Sequence, residues 1–218
     1  MYNPTHFEET RVDVMHALMR QHPLCTLVTL SAGGLVANQV PMVLRTRPAE
    51  DGANPGLGTL VAHVARANPL WKETDLTMPV LVIFQGPQAY ISPSWYVTKQ
   101  EHGKVVPTWN YVVVQASGVM QVHDDAQWIR QQANEITHQQ ESVFDKPWAV
   151  DDAPREYTDT MIRALVGIEI PLTRLVGKWK VSQNQPQANR ESVVRNLQTA
   201  GAPDAQAVAA LVLARNPK

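Results

Sequence analysis

The chain has 218 residues, of which 44% are apolar and 18% are charged, a composition that predicts one large globular domain or one domain with an appendage. Its 19 lysine and arginine residues nearly cancel its 20 aspartate and glutamate residues, so the formal net charge is −1. This balance excludes a global positive field that would attract nucleic acid or anionic lipid, and any such binding would need a local patch.

The single cysteine, Cys25, cannot form a disulfide within the chain, and its apolar neighbours in LCTLVTL predict a buried structural thiol. The N-terminal sequence MYNPTHFEE lacks the basic start and the apolar segment of a signal peptide. No apolar stretch approaches the ~18 residues of a membrane-spanning helix. These features predict a cytoplasmic protein that does not enter a membrane.

Residues 11–21 predict an amphipathic helix, because apolar side chains recur there at helical spacing and Pro23 disfavours its continuation. The SAGG sequence at 31–34 predicts a hairpin in which glycine supplies a positive φ. Two prolines and three glycines in residues 45–58 predict an exposed loop. The strands predicted in this half are Leu24–Leu30, Leu35–Leu44, Thr59–His63 and the VLVIF segment at 80–84.

Gly86-Pro87 predicts a turn, and residues 110–123 predict a long strand in which Gly118 marks a bulge or a close backbone approach. The pattern then becomes helical, with an N-cap at Asp124 or Asp125. The remaining predicted elements are a helix over about 126–136, a helix at Glu156–Leu165, a strand at Val166–Ile170 that ends before Pro171, and two tail helices near 190–200 and 204–214.

These elements predict a mainly β, α+β fold, in which an antiparallel barrel or sheet has helices packed outside it. A β segment returns after the middle helices, which argues against an independent second domain there. We therefore predict one domain over residues 1–185 and a C-terminal helical appendage, a hairpin, over 186–218.

Several enzyme signatures are absent, because the chain has no GxGxxG, GxxxxGK[ST], HExxH, CxxC or GxSxG motif. The seven histidines show no metal-ligand pairing. We assign no catalytic residue and no metal site from the sequence.

The segment HVARANP brings His63, Arg66 and Asn68 together at the end of a predicted strand. An imidazole, a guanidinium, an amide and free backbone N–H groups can bind one phosphate, for which the planar Arg fork is well suited. The alternative is a surface turn in which Asn68 caps a helix before Pro69.

The segment YISPSWYVTKQEHGKVVPTWNY, residues 90–111, concentrates aromatic side chains, prolines and two lysines. The aromatic rings would suit a flat ligand, and the prolines would hold the loop in place before the ligand binds. A dimer interface is the alternative, because Tyr and Trp are enriched there too. The segment KWKVSQN at 178–184 is either a further part of a ligand site or a solvated connector.

The two tail helices have the outline of a helix-turn-helix, a motif with which proteins read DNA. Against that interpretation, the basic side chains of the tail are dispersed, and its second helix is rich in alanine. A structural helical hairpin is the interpretation we favour.

In this order along the chain, MYNPTHF, PLCTLVT, HVARANPLW, YISPSWYVTK, VPTWNY and KWKVSQN resemble the PaiB family of FMN-binding negative transcriptional regulators. The resemblance covers nearly the whole chain. It implies an FMN-binding split barrel related to the pyridoxamine-phosphate oxidase fold, and a homodimer with flavin sites between its subunits.

The resemblance also implies a set of FMN-binding residues. His63, Arg66 and Asn68 would hold the phosphate, and residues from Thr26 to Thr29 would approach the ring through backbone groups. The rest of the pocket would be built by Ser92, Trp95, Tyr96, Lys99, Thr108, Trp109 and Asn110, and closed by Lys180, Ser182, Gln183 and Asn184.

Three functions follow as hypotheses. The first is a flavin-binding regulator that represses transcription through another protein or, less readily, through direct contact with DNA. The second is an FMN-dependent oxidoreductase with a nicotinamide donor, in which the flavin would carry the chemistry. The third is a barrel that handles haem or another ligand, because the fold alone does not decide function.

Overall fold

A computed structural model describes residues 1–46 and 56–215, and within them the chain forms nine strands and seven α-helices. The predicted loop at 45–58 lies mostly outside the described residues. The strands are β1 (Glu8–Glu9), β2 (Leu24–Ser31), β3 (Gly34–Pro41), β4 (Val43–Arg45), β5 (Thr59–Ala65), β6 (Pro79–Ile91), β7 (Thr108–Val119), β8 (Gln121–His123) and β9 (Leu165–Lys180). The helices are α1 (Val12–Gln21), α2 (Leu70–Glu73), α3 (Lys99–His102), α4 (Ala126–Glu141), α5 (Arg155–Arg163), α6 (Gln187–Thr199) and α7 (Ala205–Ala214).

The strands are hydrogen-bonded in the order β3-β2-β6-β7-β9-β5-β4, and β1 and β8 also pair with β9. Strand β9 is antiparallel to β1, β5 and β8, and β2 is antiparallel to β3 and β6. This largely antiparallel sheet with its helices confirms the predicted fold class. None of the described helices combines the length and the apolar character needed to cross a bilayer.

The chain divides into two compact units. Unit 1 comprises Met1–Met15, Gln85–Val114 and the described residues after Leu175. Unit 2 comprises the described residues from His16 to Phe84, together with Gln115–Leu175. The C-terminal helices α6 and α7 therefore group with the N-terminal residues in unit 1.

In unit 2, β2 and β3 form the predicted hairpin, in which Ser31 pairs with Gly34 and Gly34 has a φ of 109°. Side chains of β2 alternate between buried and more exposed positions, as expected for a strand with one face in the core. Cys25 is 1% exposed, and its Sγ–H donates to the carbonyl of Val40 at 3.1 Å. Burial raises the pKa of this thiol to about 12, which confirms the predicted structural cysteine.

Two predicted breaks are wrong, because strands continue through them. β6 runs from Pro79 to Ile91 without a turn at Gly86-Pro87, where its buried positions instead shift phase by one residue. β9 continues past Pro171 to Lys180, so part of the predicted connector KWKVSQN is strand. Pro171 forms the last pair of β9 with β5, opposite Thr59, and at the end of that pairing a missing N–H costs less than in its interior.

The C-terminal helices form a hairpin in unit 1, where Arg190 and Arg215 are bonded to other groups of the unit and Arg195 is exposed. Arg190 is 6% exposed and donates to the carbonyls of Val212, at 2.8 Å, and of Arg215. Arg215 pairs with the buried carboxylate of Glu9 and lies over the ring of Trp179, 5.5 Å from its centre. The predicted structural hairpin is confirmed, and it is joined to the N-terminal strand by an ion pair.

Gly118 of β7 confirms the predicted close backbone approach in unit 2. A Cβ at this position would lie 2.1 Å from the carbonyl oxygen of Pro171, and 3.0 Å from a side-chain carbon of Ile170. Because the first of these atoms belongs to the backbone of β9, a side-chain rotation cannot relieve the clash.

Replacing Gly118 by alanine should therefore lower the free energy of unfolding by about 3 kcal/mol, since β7 and β9 must move apart to accept one methyl group. Denaturant unfolding followed by circular dichroism measures this change. Gly201→Ala is the matched control, because a Cβ there meets no atom within 4 Å and should change stability by less than about 0.5 kcal/mol. Equal stabilities for the two variants would contradict the close approach.

Cys25 should resist thiol reagents in the folded protein, because its sulfur is buried and its raised pKa leaves almost no thiolate at about pH 8. Ellman's reagent should detect no thiol in native protein and one per chain in guanidinium chloride, the number that the single cysteine allows. Fast labelling of native protein would show that the β2–β3 hairpin opens to solvent.

Candidate functional site

The predicted site residues fall into both units. Unit 2 contains Thr26, His63, Arg66 and Asn68. Unit 1 contains the other predicted residues, which are Ser92, Trp95, Tyr96, Lys99, Thr108, Trp109, Asn110, Lys180, Ser182, Gln183 and Asn184.

His63 lies on β5 and faces helix α4, where its Nδ1 is 2.5 Å from Oε1 of Gln132. Gln132 is fully buried, and its Nε2 has no hydrogen-bond partner among the described residues. The sequence did not point to Gln132, because a polar residue between apolar helical positions gives no sign that it faces the core.

Trp128 of α4 lies against the sheet at Gly167 of β9. His63 and His123 both pair with Gly167 of β9, one from each side, and a Cβ on Gly167 would lie 2.3 Å from the indole of Trp128. The indole stacks on the His123 ring with a 4.3 Å centroid separation, while His123 also contacts Glu169 at 2.7 Å. Gly167 thus makes room for the indole and keeps α4 close to the sheet.

Arg66 is held by groups of its own unit. Its Nη1 and Nη2 donate to the two carboxylate oxygens of Asp124 at 3.0 and 2.5 Å. Its Nε donates to the carbonyl of Arg163 at 2.8 Å, and Nη2 also donates to that of Leu165 at 3.0 Å. The hydrogen bond to Asp124 raises the pKa of Arg66, and the same bond lowers the pKa of Asp124.

Asn68 lies two residues before helix α2, in the turn that the alternative interpretation of its motif predicted, although the N-cap position is Pro69. Its Oδ1 accepts from the backbone N–H of Leu70 at 2.9 Å, and its Nδ2 donates to Asn38 at 3.2 Å. Thr26 lies on β2 with its hydroxyl bonded to the side-chain amide of Gln39. Most hydrogen-bond donors in the side chains of Asn68 and Arg66 are thus already bonded to other residues of unit 2.

The aromatic segment of unit 1 is ordered by short helical turns, where a loop was predicted. A turn of 3-10 helix spans Pro93–Trp95 and is capped by Ser92, whose hydroxyl accepts from the N–H of Ser94. Lys99 begins α3 and donates to the hydroxyl of Ser94 at 3.2 Å. On the adjacent strands, the exposed rings of Tyr90 and Trp109 meet edge to face, 5.9 Å apart.

A cavity of about 180 Å³, here called the Lys180 pocket, opens within unit 1. Six predicted residues line it, namely Tyr96, Thr108, Asn110, Lys180, Ser182 and Asn184. Phe7, Val106 and Gln185 complete the lining and were not predicted, although Phe7 belongs to the MYNPTHF motif. Ser92, Trp95, Lys99, Trp109 and Gln183 belong to the same unit but not to this lining.

Four polar side chains of the Lys180 pocket are bonded in two pairs. Lys180 Nζ donates to the Thr108 hydroxyl at 2.5 Å, and Asn110 Nδ2 donates to the Ser182 hydroxyl at 2.8 Å. Asn110 and Ser182 are 1% and 3% exposed, so this second bond is shielded from water. Burial raises the pKa of Tyr96, which therefore remains a neutral phenol.

The end of β9 shapes one wall of this pocket. Ser182 has a φ of 63°, a left-handed conformation that costs a non-glycine residue energy and is found most often where function requires it. Gln183 turns back over the strand end, where its Oε1 accepts from the N–H of Val181 at 2.7 Å and its Nε2 donates to the carbonyl of Trp179 at 2.5 Å. These bonds fix the bend that brings the Ser182 hydroxyl to Asn110.

The pocket offers one cation and several hydroxyl and amide groups, with no carboxylate among its lining residues. Such a donor set fits an anionic or carbonyl-bearing ligand. Among residues 1–46 and 56–215, no group of three or more His, Cys, Asp or Glu side chains is placed to hold a metal ion.

Comparison with known proteins identifies the family. The family model described as "Putative FMN-binding domain" matches residues 1–174. An uncharacterized protein of Emericella nidulans is 31% identical over 245 residues, which cover 99% of this chain and 97% of the relative. The Bacillus subtilis Protease synthase and sporulation protein PAI 2 is 27% identical over 212 residues, which cover 97% of this chain and 96% of the relative.

Solved structures share the fold at low sequence identity. The FAD and heme binding protein of Mycobacterium smegmatis matches with a TM-score of 0.55 at 14% identity, over 79% of this chain and 73% of that one. The flavocytochrome Anf3 of Azotobacter vinelandii matches with a TM-score of 0.54 at 10% identity, over 79% and 69%. The fold is the antiparallel split barrel that the sequence motifs predicted. The chain therefore belongs to the family of FMN-binding domains that its PaiB-like motifs indicated, and FMN is its cofactor.

Proposed function

We propose that the protein is an FMN-binding negative regulator of transcription of the PaiB type, and that it acts as a homodimer. The observation that carries this proposal is the Lys180 pocket, a donor-rich cavity built from four of the segments that resemble PaiB proteins. The similarity to the Bacillus subtilis protein PAI 2 along almost the whole chain supports the regulatory part.

The residues of the pocket fit part of an FMN molecule. Lys180, Thr108 and Ser182 would hold an oxygen-rich end of the flavin, and Tyr96 and Phe7 would contact its apolar parts. FMN supplies a redox-active ring when bound, and these side chains bind and orient it.

A second copy of the chain would complete the flavin site. The cavity measures about 180 Å³, less than the ~300 Å³ at the lower end of pockets that enclose a drug-sized ligand. Tyr90 and Trp109 are 47% and 52% exposed, and such aromatic pairs are typical of the centres of protein interfaces. These rings would meet the second subunit, as the resemblance to PaiB proteins implies.

The proposed regulation does not use the C-terminal hairpin to read DNA. Arg190 and Arg215 are bonded within unit 1, and one apolar face of α7, which includes Val208 and Val212, is buried there. A base-reading helix needs several polar side chains free to enter a groove. Repression would instead pass through another protein, or through a different surface of the dimer.

FMN binding is tested by titrating flavin-free protein into FMN and following flavin fluorescence. We expect saturation at about one FMN per chain. Asn110→Ala should weaken binding about tenfold, because Ser182 would lose the donor that orients its hydroxyl. Asn134→Ala, at an exposed position of α4, is the matched control and should bind as the wild type does. A linear titration of the wild-type protein would refute FMN binding.

Regulation is tested by deleting the gene in its own organism and sequencing the transcripts. We expect a small set of transcripts to increase, and to return to normal with the wild-type gene but not with Asn110→Ala. Unchanged transcripts would contradict the regulatory proposal. Rapid reduction of the bound flavin by NADH or NADPH in a stopped-flow experiment would then favour the oxidoreductase.

A further inference from the structure

We propose that a groove at the C-terminal end of α4 is a docking surface for a basic segment of another protein. The groove, here called the Trp148 groove, has a volume of about 280 Å³ and lies in unit 2, between the last turns of α4 and residues 147–150. This inference goes beyond the proposed function, because no residue that lines the Lys180 pocket takes part in it. It would place on unit 2 the contact with a protein through which repression passes.

Hydrogen bonds from the connector back to α4 and within the connector shape the groove. Helix α4 ends at Glu141, and Oε2 of this residue accepts from the backbone N–H of Trp148 at 2.9 Å. The next backbone N–H, that of Ala149, donates to Oδ2 of Asp152 at 2.9 Å. Pro147 restricts the backbone between these bonds and α4. The wall of the groove is therefore in place before a partner binds, which lowers the entropic cost of binding.

Three large apolar side chains are exposed within six residues of the chain at this groove. Val143, Phe144 and Trp148 are 78%, 60% and 47% exposed. Phe144 adjoins the groove, since its N–H donates to the carbonyl of Glu141 at 3.0 Å, and Trp148 lines it. The indole N–H of Trp148 has no hydrogen-bond partner among the described residues, so it can donate to a partner. Exposed apolar clusters mark interaction sites, and tryptophan is enriched among the residues that dominate binding energy.

The surroundings of the groove are acidic. Residues 141–156 contain five carboxylates and two cations. Asp145, Asp151 and Glu156 are exposed, and their carboxylates have no hydrogen bond or ion pair with any described residue. A partner with an excess of positive charge would therefore be attracted to this surface and oriented on it.

The same charges argue against other occupants. Nucleic acid and anionic lipid surfaces carry negative charge and would be repelled. A symmetric contact between two copies would bring these carboxylates against their own counterparts. The volume is also below the ~300 Å³ at the lower end of pockets that enclose a drug-sized ligand, so the groove suits one anchoring side chain of a larger partner. A protein segment in which Lys or Arg residues flank an aromatic or aliphatic anchor has the required chemistry.

The test is the selection of peptides from a random library displayed on phage, with the wild-type protein as the target. We expect peptides in which an apolar residue is flanked by Lys or Arg. Synthetic copies of these peptides, measured by fluorescence anisotropy, should bind Trp148→Ala about tenfold more weakly, because the indole would contact the anchor. Asp145→Asn combined with Asp151→Asn should weaken binding about fivefold at low salt and reduce its salt dependence.

Leu213→Ala is the matched control, because it removes an apolar side chain that is 57% exposed on α7 of unit 1, and the peptides should bind it as they bind the wild type. If Trp148→Ala does not fold, Phe144→Ala tests the same surface and should weaken binding about threefold. A selection that yields no basic peptides, or basic peptides that bind Trp148→Ala as tightly as the wild type, would overturn the inference. A dimer that dissociates in Trp148→Ala would also overturn it, since the groove would then bind a second copy.

The flavin site provides an independent readout. Trp148→Ala should bind FMN with the affinity of the wild type, because the groove and the Lys180 pocket share no residue. Wild-type protein that binds no FMN would refute the proposed function alone, since the peptide selection does not depend on flavin.

Discussion

The arrangement of the sheet depends on how closely neighbouring strands and the helix α4 can pack against β9. Four strands are hydrogen-bonded to it, and in unit 2 two glycines allow contacts that a single methyl group would prevent. The absence of a side chain at Gly118 leaves space for the backbone of Pro171, and its absence at Gly167 leaves space for the indole of Trp128. Because interiors are close-packed, these two absent side chains fix the position of β7 and of α4 relative to the strand. The residues at both ends of β9 then have defined neighbours.

The sequence predicted those elements that form because of residues close to them in the chain. The helix at 12–21, the hairpin at Gly34 and the cap at Asp125 follow from periodicity, a positive φ and a side-chain acceptor, and all three are present. The continuous β6 and β9 were not predictable in this way. Gly86 and Pro171 are common turn formers, and only their strand partners, distant in sequence, keep them in a sheet.

The candidate site also combines features set by nearby residues, which the sequence predicts, with features set by distant residues, which it does not. Spacing alone did not group Tyr96, Thr108 and Lys180, which are far apart in sequence, and the resemblance to a family supplied that grouping. Nor could the sequence rank two cationic motifs, because it does not show which cation already has a partner. Asp124 occupies Arg66, whereas the nearest described partner of Lys180 is a neutral hydroxyl.

The ion pair between Glu9 and Arg215 joins positions that are 206 residues apart. During synthesis, the buried carboxylate of Glu9 leaves the ribosome long before its C-terminal partner does, and β1 must also wait for Gly177 and Lys178 of β9. Phe7, which lines the ligand pocket, immediately precedes this strand. The contacts that complete unit 1 can therefore form only on a nearly finished chain.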